Sequence, residues 1–280
     1  MQPISIVIRT FNCAAVLQAT LRELRLRPAD QLIVVDSGSS DDTVKVAQQH
    51  GAELLRIPAA EFTYGRSLNL GFDAARHEWI LALSSHSVPS TPEFLSIYDS
   101  AISGFPADVA AAVGPIVLTK DARLQGGITF LRRADFRHGF PFPSGNPNAI
   151  YRRSLWQEHK FDEALPGAEE CEWFVWAVKK DYQLAAVHRA AVRYESRRSL
   201  RSFYKKGQVD YRWQSQYLDV GAPSASRLGW YFLKQCAMAA AGRLPAHLPL
   251  RNAAHALGQL AERRKLARSG QVPKPAILLD

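Results

Sequence analysis

Apolar runs and polar breaks follow one another through the first 117 residues, and the pattern predicts strands and helices in alternation. Residues 4–8 (ISIVI) are an apolar, mostly β-branched run interrupted by Ser5, and Gln31–Asp36 (QLIVVD) is a second that ends in a carboxylate. Such runs predict strands buried on both faces. Residues 53–57, 78–83 and 109–117 predict three more. Between them, residues 44–49, 66–76 and 91–103 predict helices, the first opened by the cap-forming SGSSDDT and the last preceded by Pro89. The alternation predicts an α/β fold: a mostly parallel sheet with helices on both faces.

Residues 118–147, rich in Gly, Pro, Arg and Phe, predict one long surface loop. Residues 148–152 predict a return to the sheet. Residues 169–180 place Trp173, Trp176 and Ala177 at helical spacing, and residues 184–187 and 191–194 predict two short strands. From residue 200 the pattern is helical, over 200–217, 225–241 and 250–268, before a loosely held tail at 269–280. The expected division is a catalytic-type domain at 1–198 and a helical extension at 199–280.

Composition narrows the class. The 280 residues are 47% hydrophobic and 22% charged, as in a globular protein. Cys13, Cys171 and Cys236 are odd in number and lack metal-ligand spacing, so free thiols in a reducing compartment are expected. The start, MQPISIVIRTFN, has no basic region before an apolar one, and no run of about 18 apolar residues occurs, which points to a cytoplasmic protein without a spanning segment. The net charge of +9 is uneven: residues 193–280 carry 16 Lys and Arg against five Asp and Glu. An anionic partner is implied. Trp230, Tyr231, Phe232 and Leu233 lie among Arg227, Lys234 and Arg243, and Arg263, Arg264, Lys265 and Arg268 cluster further on. Basic helices with aromatic residues suit an anionic membrane surface at the inner face. An oligomer contact or a solvated helix face is the plainer alternative. Nucleic acid is disfavoured, because no recognition motif is present.

Ligands of open parallel sheets bind beyond the C-terminal strand ends. Three polar clusters fall there: Arg9-Thr10-Phe11-Asn12, Asp36-Ser37-Gly38-Ser39-Ser40-Asp41 and Ser84-Ser85-His86-Ser87. A carboxylate such as Asp36 can accept hydrogen bonds from a base or ribose, and Gly38 lets the backbone approach closely. The plainer reading of SGSSDDT is a helix cap.

The succession IVIRTFN, LIVVDSGSSDDT and YGRSLNLGFDAARHEWILAL resembles family 2 glycosyltransferases of the GT-A fold, over roughly residues 4–215. The family's usual proline in the first motif is Arg9 here. FTYGRSLNLG is similar to a bacterial subgroup that includes rhamnosyltransferase-like enzymes of surface-polysaccharide assembly. The resemblance implies inverting transfer of a sugar from a nucleotide-diphosphate donor to a glycan or lipid-linked acceptor. It implies Thr10, Asn12, Asp36 and Gly38 around the nucleotide, with Arg66 and Asn69 lining the donor pocket. In GAEECEW, Glu169-Glu170 stands where the family has a Glu-Asp pair. Glu170 takes the general base's place, and Glu169 and Trp173 fall on the acceptor side. A base takes the acceptor hydroxyl's proton as the oxygen attacks. The plainer reading is an acidic first turn complementing the helix dipole.

The metal motif departs from the family. Ser84-Ser85-His86 stands where Asp-x-Asp holds a divalent cation, Mn or Mg, against the donor diphosphate, and Tyr194 stands where a further histidine ligand is usual. Four readings stay open. His86 binds a metal, since imidazole suits Mn or Zn better than Mg. His86, with Ser85 and nearby arginines (Arg197, Arg198), stabilises the diphosphate without one. The site is silent and only binds nucleotide or glycan. His86 is structural.

Overall fold

The computed structural model describes residues 2–117, 126–136, 146–194, 199–217, 225–240 and 248–270. The chain divides into two compact units, Met1–Asp135 with Phe140–Ser196, and Arg197–Asp280 with Phe136–Gly139. The first unit is the α/β body. Its strands are β1 (Ile4–Thr10), β2 (Gln31–Asp36), β3 (Glu53–Arg56), β4 (Trp79–Ser84), β5 (Ser87–Pro89), β6 (Val109–Val113), β7 (Ile116–Val117), β8 (Ile128–Leu131), β9 (Asn148–Arg152), β10 (Gln183–Val187) and β11 (Val192–Tyr194). Its helices are α1 (Ala14–Leu24), α2 (Thr43–Gln49), α3 (Tyr64–Asp73), α4 (Phe94–Ser103), α5 (Arg153–Glu158) and α6 (Glu169–Lys179).

Eight strands form one sheet in the order β3-β2-β1-β4-β9-β6-β10-β8, and β5-β11-β7 form a small second sheet. In the large sheet β3, β2, β1 and β4 run parallel, β9 runs antiparallel to both β4 and β6, and β8 is antiparallel to β10. The chain order reverses between β1 and β4, which opens the crevice in which such sheets bind ligands. The central strands are apolar because both faces are covered: Ile4, Ile6, Val7 and Ile8 of β1 and Ile80, Leu81, Ala82 and Leu83 of β4 are all buried. α3 packs on β1 and β2 closely enough that a Cβ on Gly71 would lie 2.4 Å from Val7 Cγ1.

Four expectations are corrected. The single strand expected over 109–117 is two strands in different sheets, β6 and β7, broken at Gly114-Pro115, where a Cβ on residue 114 would meet Ala190 O at 1.9 Å. The loop expected over 118–147 contains β8 and a 3-10 turn at Arg133–Phe136. The polar break after β4 is short, because Ser87–Pro89 re-enters a sheet as β5 opposite Val192–Tyr194. Helices α1 and α5 appear where no element was expected.

The second unit contains α7 (Leu200–Tyr217), α8 (Ala225–Ala240) and α9 (Leu248–Arg268). α7 and α9 cross at two glycines: a Cβ on Gly207 would meet His255 O at 1.9 Å, and one on Gly258 would meet Tyr204 O at 2.0 Å. Asp210 of α7 binds His255 Nε2 at 2.8 Å, and Arg212 binds the buried Glu262 at 2.5 Å. Among the described residues no helix is long and apolar enough to cross a membrane. Arg197, Arg198, Arg243 and the tail beyond residue 270 lie outside the described residues.

Candidate active site

The C-terminal ends of β1 and β2 are locked together by Asp36, only 2% exposed. Its Oδ1 accepts from Thr10 Oγ1 at 3.0 Å and from Ser39 Oγ at 2.5 Å, and its Oδ2 accepts from the backbone N–H groups of Gly38 and Ser39 at 3.0 and 2.9 Å. These four donors take up the carboxylate's capacity. Gly38 sits at φ +92°, a conformation that favours glycine, and its N–H points back at Asp36 as a result. Asn12, itself at φ +45°, completes the cradle: its N–H donates to Ser39 Oγ at 2.9 Å and its Oδ1 accepts from Ser40 N at 2.8 Å. Asp41 serves two helices, accepting from Ala14 N of α1 at 3.1 Å and from Thr43 N of α2 at 3.0 Å. Its carboxyl is held below the ordinary range, first by the hydroxyl of Thr43. SGSSDDT is therefore a cap and also half of a rigid two-loop cradle. Phe11, 56% exposed, stands between Thr10 and Asn12.

At β4, Arg9 is the register partner of Ser84, and Ser84 N donates to Pro147 O at 3.3 Å. Ser84 Oγ accepts from His86 N at 3.2 Å. Ser85 is turned inward: its carbonyl accepts from Thr20 Oγ1 at 3.1 Å and its side chain bonds the buried Cys13 thiol, so a donor contact expected from its hydroxyl has to compete with these. The His86 ring meets the Tyr194 ring edge-on at 6.0 Å.

Pro147 leads to the second cluster. Asn146, buried, donates from Nδ2 to Glu169 Oε1 at 2.9 Å and to Glu170 Oε2 at 3.5 Å, and its Oδ1 accepts from Tyr151 O–H at 2.7 Å. Glu169 also meets Arg9 Nη1 at 3.2 Å, with 4% of its side chain exposed. Burial, and then the charges of Glu170 and Glu169, push the Tyr151 hydroxyl well above its ordinary range, so Tyr151 acts here as a neutral donor. Glu170 is half-buried at the start of α6. The carboxylate pair and the ends of β1 and β4 thus lie at one end of the sheet.

Four expected positions have other engagements. Asn69 is buried, and its amide is fully used: Nδ2 donates to Phe161 O and Glu163 Oε1, both at 2.9 Å, and Oδ1 accepts from Trp156 Nε1 and Phe161 N. Trp173 is wholly buried, with its Nε1 donating to His159 O at 2.7 Å, so its ring faces the core and not an acceptor. Glu169, expected toward the acceptor, points into the interior toward Arg9. Arg66 is on the surface, paired with Glu61 at 2.5 Å. Asn146 and Tyr151 went unnoticed in sequence, and Arg9 was noticed in the first polar cluster and as a departure but was given no role.

Residues 5–158, more than half of the chain, match the family model described as Glycosyl transferase family 2. The chain belongs to this family. No curated protein matches it in sequence. Solved structures of similar fold include S. aureus TarS 1-349, with TM-score 0.58, 14% identity and 97% of this chain covering 92% of that one. TarS 1-349 was also solved with UDP-GlcNAc. Another is glucosyl-3-phosphoglycerate synthase from Mycobacterium tuberculosis in complex with Mn2+, UDP and glucosyl-3-phosphoglycerate, with TM-score 0.60, 19% identity and 76% of this chain covering 79% of that one.

For this family 2 glycosyltransferase the metal question narrows. The two positions where the resemblance would put late cation ligands are neighbours in space, and they hold His86 and Tyr194. Ser84 supplies a hydroxyl and His86 an imidazole where the motif's two carboxylates would be. A hard divalent cation takes carboxylate and other oxygen ligands. Among the described residues no three of His, Cys, Asp and Glu converge. The described side chains do not fit such a cation.

Proposed function

We propose that this family 2 glycosyltransferase moves a sugar from a nucleotide-diphosphate donor to a hydroxyl of a glycan or lipid-linked acceptor, inverting the anomeric centre in one displacement. Glu170 is the general base. The observation that carries this reading is the pairing of two adjacent carboxylates in unlike settings. Glu169 is buried against Arg9 and Asn146, whereas Glu170 is half-buried with a 3.5 Å contact to the same amide. A base has to reach the acceptor hydroxyl and keep a proton-accepting oxygen toward it. The cradle of Thr10, Asn12, Asp36 and Gly38 takes the nucleotide, and the exposed ring of Phe11 offers a face for the base to stack on. His86 lies at the diphosphate end. Neighbours solved with UDP or UDP-GlcNAc support a uridine donor as the first to try.

The helical unit, residues 199–280, is the proposed membrane-facing part. Arg263, Arg264, Lys265 and Arg268 are exposed on α9, which suits an anionic surface and a lipid-linked acceptor at the inner face. The pathway proposed is bacterial surface-polysaccharide assembly.

Incubating the protein with a panel of UDP- and dTDP-sugars and candidate acceptors tests the reaction. Glu170→Gln should lose transfer by about 10²- to 10⁴-fold while still binding donor. Full transfer in that variant would remove Glu170 from the mechanism. A second reading, a silent module that binds nucleotide without transfer, is favoured by the replaced metal triplet. Calorimetric binding of UDP with no turnover across the panel would select it.

A further inference from the structure

We propose that Arg9 is a positioning residue that acts through Glu169: it fixes the first turn of α6 and so sets the direction in which Glu170 points. The inference rests on Glu170 being the base. α6 starts without a local cap. Ala168 precedes it at φ +66° and no side chain caps it, yet its first turn holds Glu169, Glu170 and Glu172. The helix dipole favours an acid there. Three acids crowded into one turn also repel each other.

The turn is held from elsewhere in the unit. Arg9 Nη1, at the end of β1, donates to Glu169 Oε1 and to Tyr64 O, each at 3.2 Å, and its guanidinium lies 5.1 Å from the Tyr64 ring centroid. Asn146 holds the other side, bridging Glu169 and Glu170 and receiving the Tyr151 hydroxyl. Arg9 therefore ties α6 to the central strand and to the start of α3 through one cation. It also neutralises Glu169, so the neighbouring Glu170 faces a compensated pair and not a bare carboxylate. A proline at position 9, the residue the resemblance would put there, could make neither contact.

The test compares Arg9→Met, Arg9→Lys, Glu169→Gln, the double variant R9M/E169Q and, separately, Glu170→Gln. Two readouts are taken: kcat and donor KM with the nucleotide sugar that turns over in the panel, and amide hydrogen exchange over residues 169–172, which needs no substrate. Arg9→Met should lower kcat about 10- to 100-fold, the effect of displacing a catalytic group by about 1 Å. Donor KM should stay within about twofold, since the change spares donor contacts. R9M/E169Q should be no worse than Arg9→Met, since the two residues act as one unit. Arg9→Lys should recover part of the loss, and exchange over 169–172 should rise in Arg9→Met and in R9M/E169Q, the two variants without a cation at position 9.

If Arg9→Met does not fold because Glu169 is left buried and unpaired, the double variant, which removes both charges, carries the same measurements. Wild-type kcat or unchanged exchange in the double variant overturns the proposal. So does a double effect equal to the product of the singles, or a raised donor KM in place of a lowered kcat. Wild-type turnover in Glu170→Gln sinks the base assignment alone, and the exchange measurement still decides whether Arg9 holds the turn.

Discussion

Trp156 Nε1 donates to Asn69 Oδ1 at 3.2 Å across 87 positions of sequence, and the same oxygen accepts from Phe161 N. The bond lies in an aromatic cluster where Phe72 meets Trp156 at 5.3 Å and Phe161 at 5.2 Å. Asn69→Ala would leave the indole N–H and the Phe161 N–H buried and unpaired. The expected cost is about 3 kcal/mol in unfolding free energy, read from urea midpoints. UDP affinity of the folded variant should be unchanged. If affinity falls while the midpoint holds, Asn69 reads the donor, as the family resemblance implied.

Gly114 is the second position where packing leaves no choice. A Cβ there would stand 1.9 Å from Ala190 O and 2.2 Å from Asn148 Nδ2, and Asn148 in turn receives the buried Tyr98 hydroxyl at 2.8 Å. Gly114→Ala should therefore lower stability by about 3 kcal/mol, the upper end for an overpacked core. A melting temperature within a degree of wild type would show that β6 and β7 can part there without strain.

These two glycine and asparagine sites mark the limit of what the chain announces locally. β1, β2 and β4 were legible because long apolar runs need no partner to be recognised. α1 was not, although Leu17, Leu21 and Leu24 fall on one face, because its start at Cys13 has no capping side chain of its own. Its cap arrives from Asp41, 27 positions on. β8 exists by pairing with β10 and has no clean alternation. The Asp36 loop was legible as a polar turn at a strand end since Asp36 binds Gly38 and Ser39 beside it. The Arg9–Glu169 pair, 160 positions apart, was not.

Asp36 permits a sharp distinction between charge and geometry. An amide in its place can still accept from the two backbone N–H groups and turn its NH₂ toward the hydroxyls of Thr10 and Ser39. Asp36→Asn should keep the loop and hold UDP affinity within about threefold, because the carboxylate is already filled by protein donors. Asp36→Ala removes all four bonds and should weaken UDP at least about tenfold, with loss of about 2 kcal/mol of stability. A large loss of affinity in Asp36→Asn alone would mean that the charge itself faces the ligand.

The helical unit carries a pH signature at Asp210. Burial pushes its carboxyl up, but the hydrogen bond from His255 and the charge and hydrogen bond of Lys206 outweigh burial, and the net shift is below the ordinary 3.8. A depressed folded-state value means the unfolded chain takes up the proton first as pH falls. The contribution is therefore present above about pH 3.8 and is lost as pH drops through the lower folded value. The stability difference between wild type and Asp210→Asn, followed by helical circular dichroism during denaturation, should be fully present at pH 5 and shrink below pH 3.8. A gap that widens on acidification would reverse the sign assigned here.

His86 and Tyr194, ring to ring at 6.0 Å, occupy the place where the resemblance would put a cation. With hydroxyls at Ser84 and Ser85 and no described carboxylate converging there, the function we propose has the donor diphosphate met by imidazole and other protein donors. Binding a ligand to the folded state raises its melting temperature. UDP should therefore raise the melting temperature by the same amount in EDTA as in millimolar Mn2+. His86→Ala should reduce that shift in both conditions. If Mn2+ enlarges the shift in wild type and has no effect in His86→Ala, His86 is a metal ligand and the cation-free reading fails.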